Sequence, residues 1–344
     1  MGGTWLTAAS TDNVAIGYRS MYGAMNGALY NTAVGTSALT NITEGDGNTA
    51  VGYSCGDAIT DGEYNTLLGR HAGSSIVGAD QNTFIGNYAG GTTTAAQYCV
   101  ALGAQAANAN MTTAANGTVA IGMSALNALT SGAGNTALGF ESAVAMTKGR
   151  YNTALGWRAL YTEDVGDNST AVGNGALFGQ NSDSDNEITG NVGLGYQTGY
   201  NNVTGQNNTY LGYWAGKGGT GSHSGNTGVG KSALASVTLG GSNVCVGVNA
   251  GDSITTANNS IFIGSSAGDA LTVTGGSNAY DGQIGIGTNA LAALTTGASN
   301  VAIGYKAMQH ADTAESCIAI GYRAMADQDV GGSGHAANSD HNIA

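Results

Sequence analysis

Aromatic and cationic residues recur side by side along this 344-residue chain. Tyr18 precedes Arg19, Trp157 precedes Arg158, Tyr305 precedes Lys306 and Tyr322 precedes Arg323, while Tyr213 precedes a second ring, Trp214. Flat rings stack on the apolar faces of sugars and a neighbouring cation adds hydrogen bonds, so these pairs have the chemistry of a glycan-binding strip. The same pairs also fit ring stacking from one repeat to the next, or pairing between copies of the chain. Asp183, Asp185 and Glu187 offer oxygens at a spacing that suits Ca2+, but the other ligands and the glycine of a helix-loop-helix calcium loop are missing. A solvated acidic loop is the competing reading, and no other cofactor is expected. His71, His223, His310, His335 and His341 lack metal-ligand spacing. Cys55, Cys99, Cys245 and Cys317 contain no Cys-x-x-Cys and read as small fillers within repeat columns. No recurrent Ser-His-Asp arrangement can be assembled, so catalysis is not expected.

A repeat positions all of these residues. Its anchor is a glycine, beginning with Gly17, Gly35 and Gly52, passing through Gly139 and Gly156, and ending with Gly304 and Gly321. There are 18 such glycines, and most neighbours are 17 residues apart. Asn stands four residues before the glycine in 12 of the 18 copies, among them Asn13, Asn31, Asn48, Asn135, Asn152 and Asn300. Val, Ile or Leu comes immediately before the glycine, and Thr, Val or Ile two places earlier still. Alternation with period two puts these last two positions on one face of a short strand, which we expect to be the core. Asn and the intervening Ala fall on the other face, where stacked amides can hydrogen-bond up the column. Ala-Leu after the glycine reads as a second short wall, and the rest of each copy as a Gly/Thr/Asn/Asp turn.

The expected fold is all-β: a parallel β-solenoid, or β-roll, of about 18 coils over residues 13–326. Residues 1–12 would be a lead or cap and 327–344 a polar tail. Longer intervals mark insertions at 174–190, holding the acidic trio, and at 265–282, holding Tyr280. Both should protrude from the long turn and serve as receptor contacts. A 17-residue coil encloses little apolar volume, so bundling with sister chains would help it.

Composition narrows the function. With 59 Gly, no Pro and 42% apolar residues, the chain is neither collagen-like nor disordered. A net charge of −13 disfavours nucleic acid and anionic membranes as partners. No uninterrupted apolar run long enough for membrane insertion occurs, and no signal peptide is expected at the start.

The segments Asn13-Val-Ala-Ile-Gly17-Tyr-Arg-Ser20 and Asn300-Val-Ala-Ile-Gly304 resemble the head repeat of trimeric autotransporter adhesins. That resemblance implies a left-handed coil and a homotrimer. The commoner Asn-Thr-Ala form, as in 31–39 and 152–160, resembles repeats of bacteriophage tail fibres and related virion proteins. Heptad stalk, C-terminal anchor strands and signal sequence are not seen, which turns the expectation toward the phage proteins. The chain would then be a non-enzymatic fibre or appendage subunit on the virion surface, attaching to host surface polysaccharide and contacting other virion proteins. Alternatives are the head of a bacterial surface adhesin, a self-polymerising extracellular filament, and an ice-binding solenoid. The last needs a flat exposed Thr array, whereas the Thr column is interrupted and assigned here to the core side.

Overall fold

A computed structural model describes residues 10–271 and 281–327 of the chain. It shows a β-solenoid whose 18 parallel strands belong to one sheet, each strand three residues long. Apart from one turn of 3-10 helix at Thr113–Ala115, the rest of each coil is turns. No helix among the described residues is long and apolar enough to cross a membrane. The chain divides into two compact units. The first runs to Ser169 and includes Ser182–Glu187; it holds β1 (Val14–Ile16) to β9 (Thr153–Leu155). The second takes Thr170–Asn181 and the chain from Ile188 onward, with β10 (Thr170–Val172) to β18 (Ile318–Ile320). Residues 1–9, 272–280 and 328–344 fall outside the described residues, and with them most of the expected lead and tail and the centre of the second insertion.

Successive coils stack without slippage. In the first unit Thr32, Thr49, Thr66 and Thr83 lie opposite one another, as do Ala33, Ala50, Leu67 and Phe84, and Val34, Val51, Leu68 and Ile85. The alternation expected from sequence is present, but its inside and outside are reversed. The central strand residue is buried in nearly every coil, while the residues before and after it face outward. Leu68 is 45% exposed and Ile16 60% exposed, so the Val/Ile/Leu column is not the core.

The asparagines explain the reversal. In the first unit, Asn48 accepts on Oδ1 the backbone N–H of Asn65 at 3.0 Å and its side-chain amide at 3.0 Å. Its own amide donates to the Gly62 carbonyl at 2.7 Å and to Asn31 Oδ1 at 3.1 Å. The second unit repeats the pattern from Asn191 through Asn208 and Asn226 to Asn243. Only inside the coil does the amide meet these backbone groups, and a buried amide without partners would be costly. Once Asn points inward, period two sends Ala inward with it and Thr and Val/Ile/Leu outward.

The core is therefore built from the central strand residue, the Ala three residues after the glycine, the residue after that, and an Ile, Leu or Met column on the far wall, such as Ile42, Ile59 and Ile76. The position four after the glycine is left-handed throughout, for example Leu39 at φ 48° and Gly90 at φ 55°. Its size trades against the strand. Where the strand centre is Phe84, Tyr210 or Phe262, the partner in the same coil is Gly90, Gly216 or Gly268, and an added Cβ would come within 2.4 Å of the ring in each case. Where the strand centre is Ala33 or Ala120, the partner is Leu39 or Leu126. In these coils the bulk moves from one wall to the other.

Candidate functional site

The aromatic-cationic column follows directly from the corner glycine. The residue after it is mostly exposed, and the next is left-handed, with Arg19 at φ 56°, Arg158 at 50° and Lys306 at 56°. In the second unit Tyr196 and Tyr213 stack at 5.2 Å with their planes 13° apart, and Tyr305 and Tyr322 at 5.4 Å and 14°. Trp214 leans on Tyr213, donates its indole N–H to Gln197 Oε1 at 3.0 Å, and carries the Lys217 ammonium 4.3 Å from its ring centre. The Lys306 ammonium stands over Tyr305, and Arg323 pairs with Asp327 at 3.1 Å. In the first unit Arg158 lies over Trp157 and Tyr161 and meets Glu141 at 2.6 Å. Arg19 lies over Tyr22, while Tyr18 beside it is 74% exposed. Ring stacking between coils is thus present at this column, and many of its ring faces are already covered. Tyr280 lies outside the described residues.

The first insertion is strapped down instead of standing free. Lys148 pairs with Asp185 at 2.6 Å, Arg150 donates to Asn186 Oδ1, and Glu187 Oε2 accepts the Asp183 N–H at 3.1 Å. Beneath it Glu163 is fully buried, at a place in the coil where Ile42, Ile59 and Met146 stand elsewhere in this unit. Its Oε1 accepts the N–H of Gly166 at 2.7 Å and of Val165 at 3.1 Å, and its Oε2 accepts the Ser182 hydroxyl at 3.1 Å. Among the described residues no three His, Cys, Asp or Glu side chains converge to hold a metal ion, the trio Asp183, Asp185 and Glu187 included.

All four cysteines are free and buried. They fill repeat columns as expected, Cys55 among the alanines after the glycine, Cys245 at a strand centre, and Cys99 and Cys317 in the asparagine column. Burial pushes the Cys55 thiol up to about 12, far from the thiolate chemistry of a reactive cysteine.

No family model, no curated protein and no solved structure matches this chain.

Two features escaped sequence reasoning. The first is a second aromatic column, five residues before the corner glycine, formed in the first unit by Tyr30, Tyr64, Tyr98 and Tyr151. Its signal was the 34-residue spacing of Tyr30, Tyr64 and Tyr98, two repeats each time. The second is a buried pair in the second unit, Tyr210 and His223, joined by a 2.8 Å hydrogen bond between the hydroxyl and Nδ1. His223 Nε2 is buried without a partner, and burial pushes this imidazole from 6.5 down to about 4.

Unfolded, His223 takes up a proton near pH 6.5; folded, it resists until about pH 4. Its neutral form therefore contributes stability that is present above pH 6.5 and is lost as pH falls through that window. Asp57, Asp252 and Asp269, held above the ordinary carboxylate value chiefly by burial, act with the opposite sign. Comparison with His223→Gln isolates the imidazole. Between pH 7 and pH 4 the parent should lose about 3 kcal/mol more than the variant in chemical denaturation. A constant gap across that range would mean that the ring takes up its proton as readily in the fold as in the unfolded chain.

Proposed function

We propose that this chain is a non-enzymatic fibre or appendage subunit of a bacteriophage virion. It works at the virion surface as a homotrimer and presents or mediates attachment to host cell-surface glycan. The reading rests on the likeness of its Asn-Thr-Ala-Val/Leu-Gly repeats to those of phage fibres. The observation that carries the assembly part is the outward column of Val, Ile and Leu. In the first unit it includes Leu68, Leu138 and Leu155, exposed by 45%, 44% and 40%. A regular apolar column facing water is a surface that a sister chain would cover. Repeats of the adhesin type would use the same surface, so the head of a bacterial adhesin remains the alternative within this reading.

Light scattering on the purified chain should give the mass of three chains, and a glycan array on the same sample should give binding. In the double variant Leu68→Asp, Leu138→Asp the mass should fall toward one chain while the β circular-dichroism signal persists. A monomeric parent would sink the trimer, a blank array the attachment role, and a mass rising with concentration would favour the end-to-end filament.

One observation favours a second reading. The threonines two before the apolar column face outward as well, and Thr32, Thr49, Thr66 and Thr83 follow one another in register. Assignment of that column to the core no longer counts against an ice-binding face. A monomer that shows thermal hysteresis and binds no glycan would establish this reading in place of the first.

A further inference from the structure

We propose that Tyr30, Tyr64 and Tyr98 form a platform for an extended, uncharged β-1,4-linked polysaccharide. The inference rests on the glycan-attachment reading and names a ligand class and a site for it, away from the column next to the corner glycine. All three rings are exposed, by 65%, 58% and 59%. None of them takes part in a ring-ring or cation–π contact among the described residues, unlike Tyr196, Tyr213, Tyr305 and Tyr322, whose faces cover one another. They alternate with non-aromatic residues in the intervening coils, Gly47 and Gln81. Tyr64 lies over Gly47: a Cβ added to that glycine would stand 2.8 Å from its ring. The glycine thus leaves room for the ring against the coil wall.

Spacing selects the ligand. Coils stack at about 4.8 Å, so rings in every second coil recur at about 9.6 Å. That is close to the disaccharide repeat of an extended β-1,4-linked chain, which presents the same sugar face once per two residues. A helical α-1,4-linked chain has no such straight face. Charge selects further. Asp46, Glu63 and Asp80 stand beside the column, one residue before Gly47, Tyr64 and Gln81. Asp46 Oδ1 accepts the Leu29 N–H at 2.7 Å and Asp80 Oδ1 the Glu63 N–H at 2.8 Å, which holds both carboxylates in place. An anionic polymer would be repelled, whereas a neutral one can donate its hydroxyls to these carboxylates.

The test uses the full chain and titrates cellohexaose and chitohexaose, with maltohexaose and hyaluronan as controls of shape and charge. Asn is the conservative replacement, because Asn168, Asn207 and Asn259 hold the same left-handed place in other coils. Each single Tyr→Asn change should weaken binding about tenfold, and Tyr30→Asn, Tyr64→Asn, Tyr98→Asn together should abolish it with an unchanged melting temperature. Full binding by the triple variant overturns the proposal, as does equal binding of maltohexaose or hyaluronan. A triple variant with an altered solution mass overturns it too, since the rings would then be a contact between chains. A parent that binds other sugars on an array but neither β-1,4-linked probe overturns this inference alone. A parent that binds no sugar removes the attachment reading with it.

Discussion

Gly86→Ala should cost about 4 kcal/mol or more and lower the unfolding midpoint sharply. Gly86 has φ +139°, a conformation that strains any residue with a side chain, by about 1–3 kcal/mol. Its new Cβ would also stand 2.4 Å from the carbonyl oxygen of Gly103 in the next coil, and 2.6 Å from its carbonyl carbon. Both atoms are backbone, held by the coil-to-coil hydrogen bond from the Gly103 N–H to the Ile85 carbonyl at 2.8 Å. Relief requires the coils to part, which breaks that ladder. The control is Gly117→Asn. Gly117 has φ +72° and no atom within 4 Å of a built Cβ, and Asn occupies that place in other coils. It should change stability by less than about 0.5 kcal/mol. Denaturant midpoints at one protein concentration decide the matter. A Gly86→Ala midpoint equal to that of the control would show that the corner is not what keeps the coils in contact.

Asn48→Leu should cost about 3–5 kcal/mol although it keeps the branching and number of side-chain heavy atoms. The change leaves the buried Asn65 N–H without its acceptor and the Gly62 carbonyl without its donor, and it removes one of the two acceptors of the Asn65 side-chain amide, which keeps the Ala79 carbonyl. Each unsatisfied buried group costs about 1–3 kcal/mol. Asn48→Ser should cost clearly less. Serine stands in the column naturally at Ser260, whose hydroxyl accepts the Gln283 N–H at 3.3 Å. Hydrogen exchange at the Asn65 amide gives a local readout, with protection lost in the leucine variant and mostly kept in the serine variant. Equal stability of the two would mean that the amide column is a passive filler. The ladder would then not explain why Asn and Ala face inward.

The strand face shows where sequence reasoning went astray. Val34, Val51 and Leu68 look like core residues when hydrophobicity is the guide, and Ala33 and Ala50 look like an outer face. Hydrophobicity loses here because a narrow coil has little room for two opposed columns of branched side chains. Alanine from the strand meets Leu39 and Ile42 from the far wall, and that is enough to fill it. The ring-and-cation column was visible as a spacing, but Tyr196–Tyr213 and Tyr305–Tyr322 cover each other because the coil rise is close to the thickness at which rings stack. Tyr30, Tyr64 and Tyr98 are less legible at the period of one coil, because Gly47 and Gln81 take the same place in the coils between them.

The amino-acid sequence by itself determined the coil length, the number of coils, the place of each strand, the corner glycine and the asparagine ladder. These follow from local periodicity and from residue types with one dominant conformational use. Only the tertiary structure decided which of the two strand faces points inward, how bulk is exchanged between Phe84 and Gly90 or Ala33 and Leu39, and that Glu163 sits under the insertion. Alternation defines two faces but not their sign. The sign depends on where a buried amide finds backbone partners 14 and 17 residues away, as Asn48 does at the Gly62 carbonyl and the Asn65 N–H.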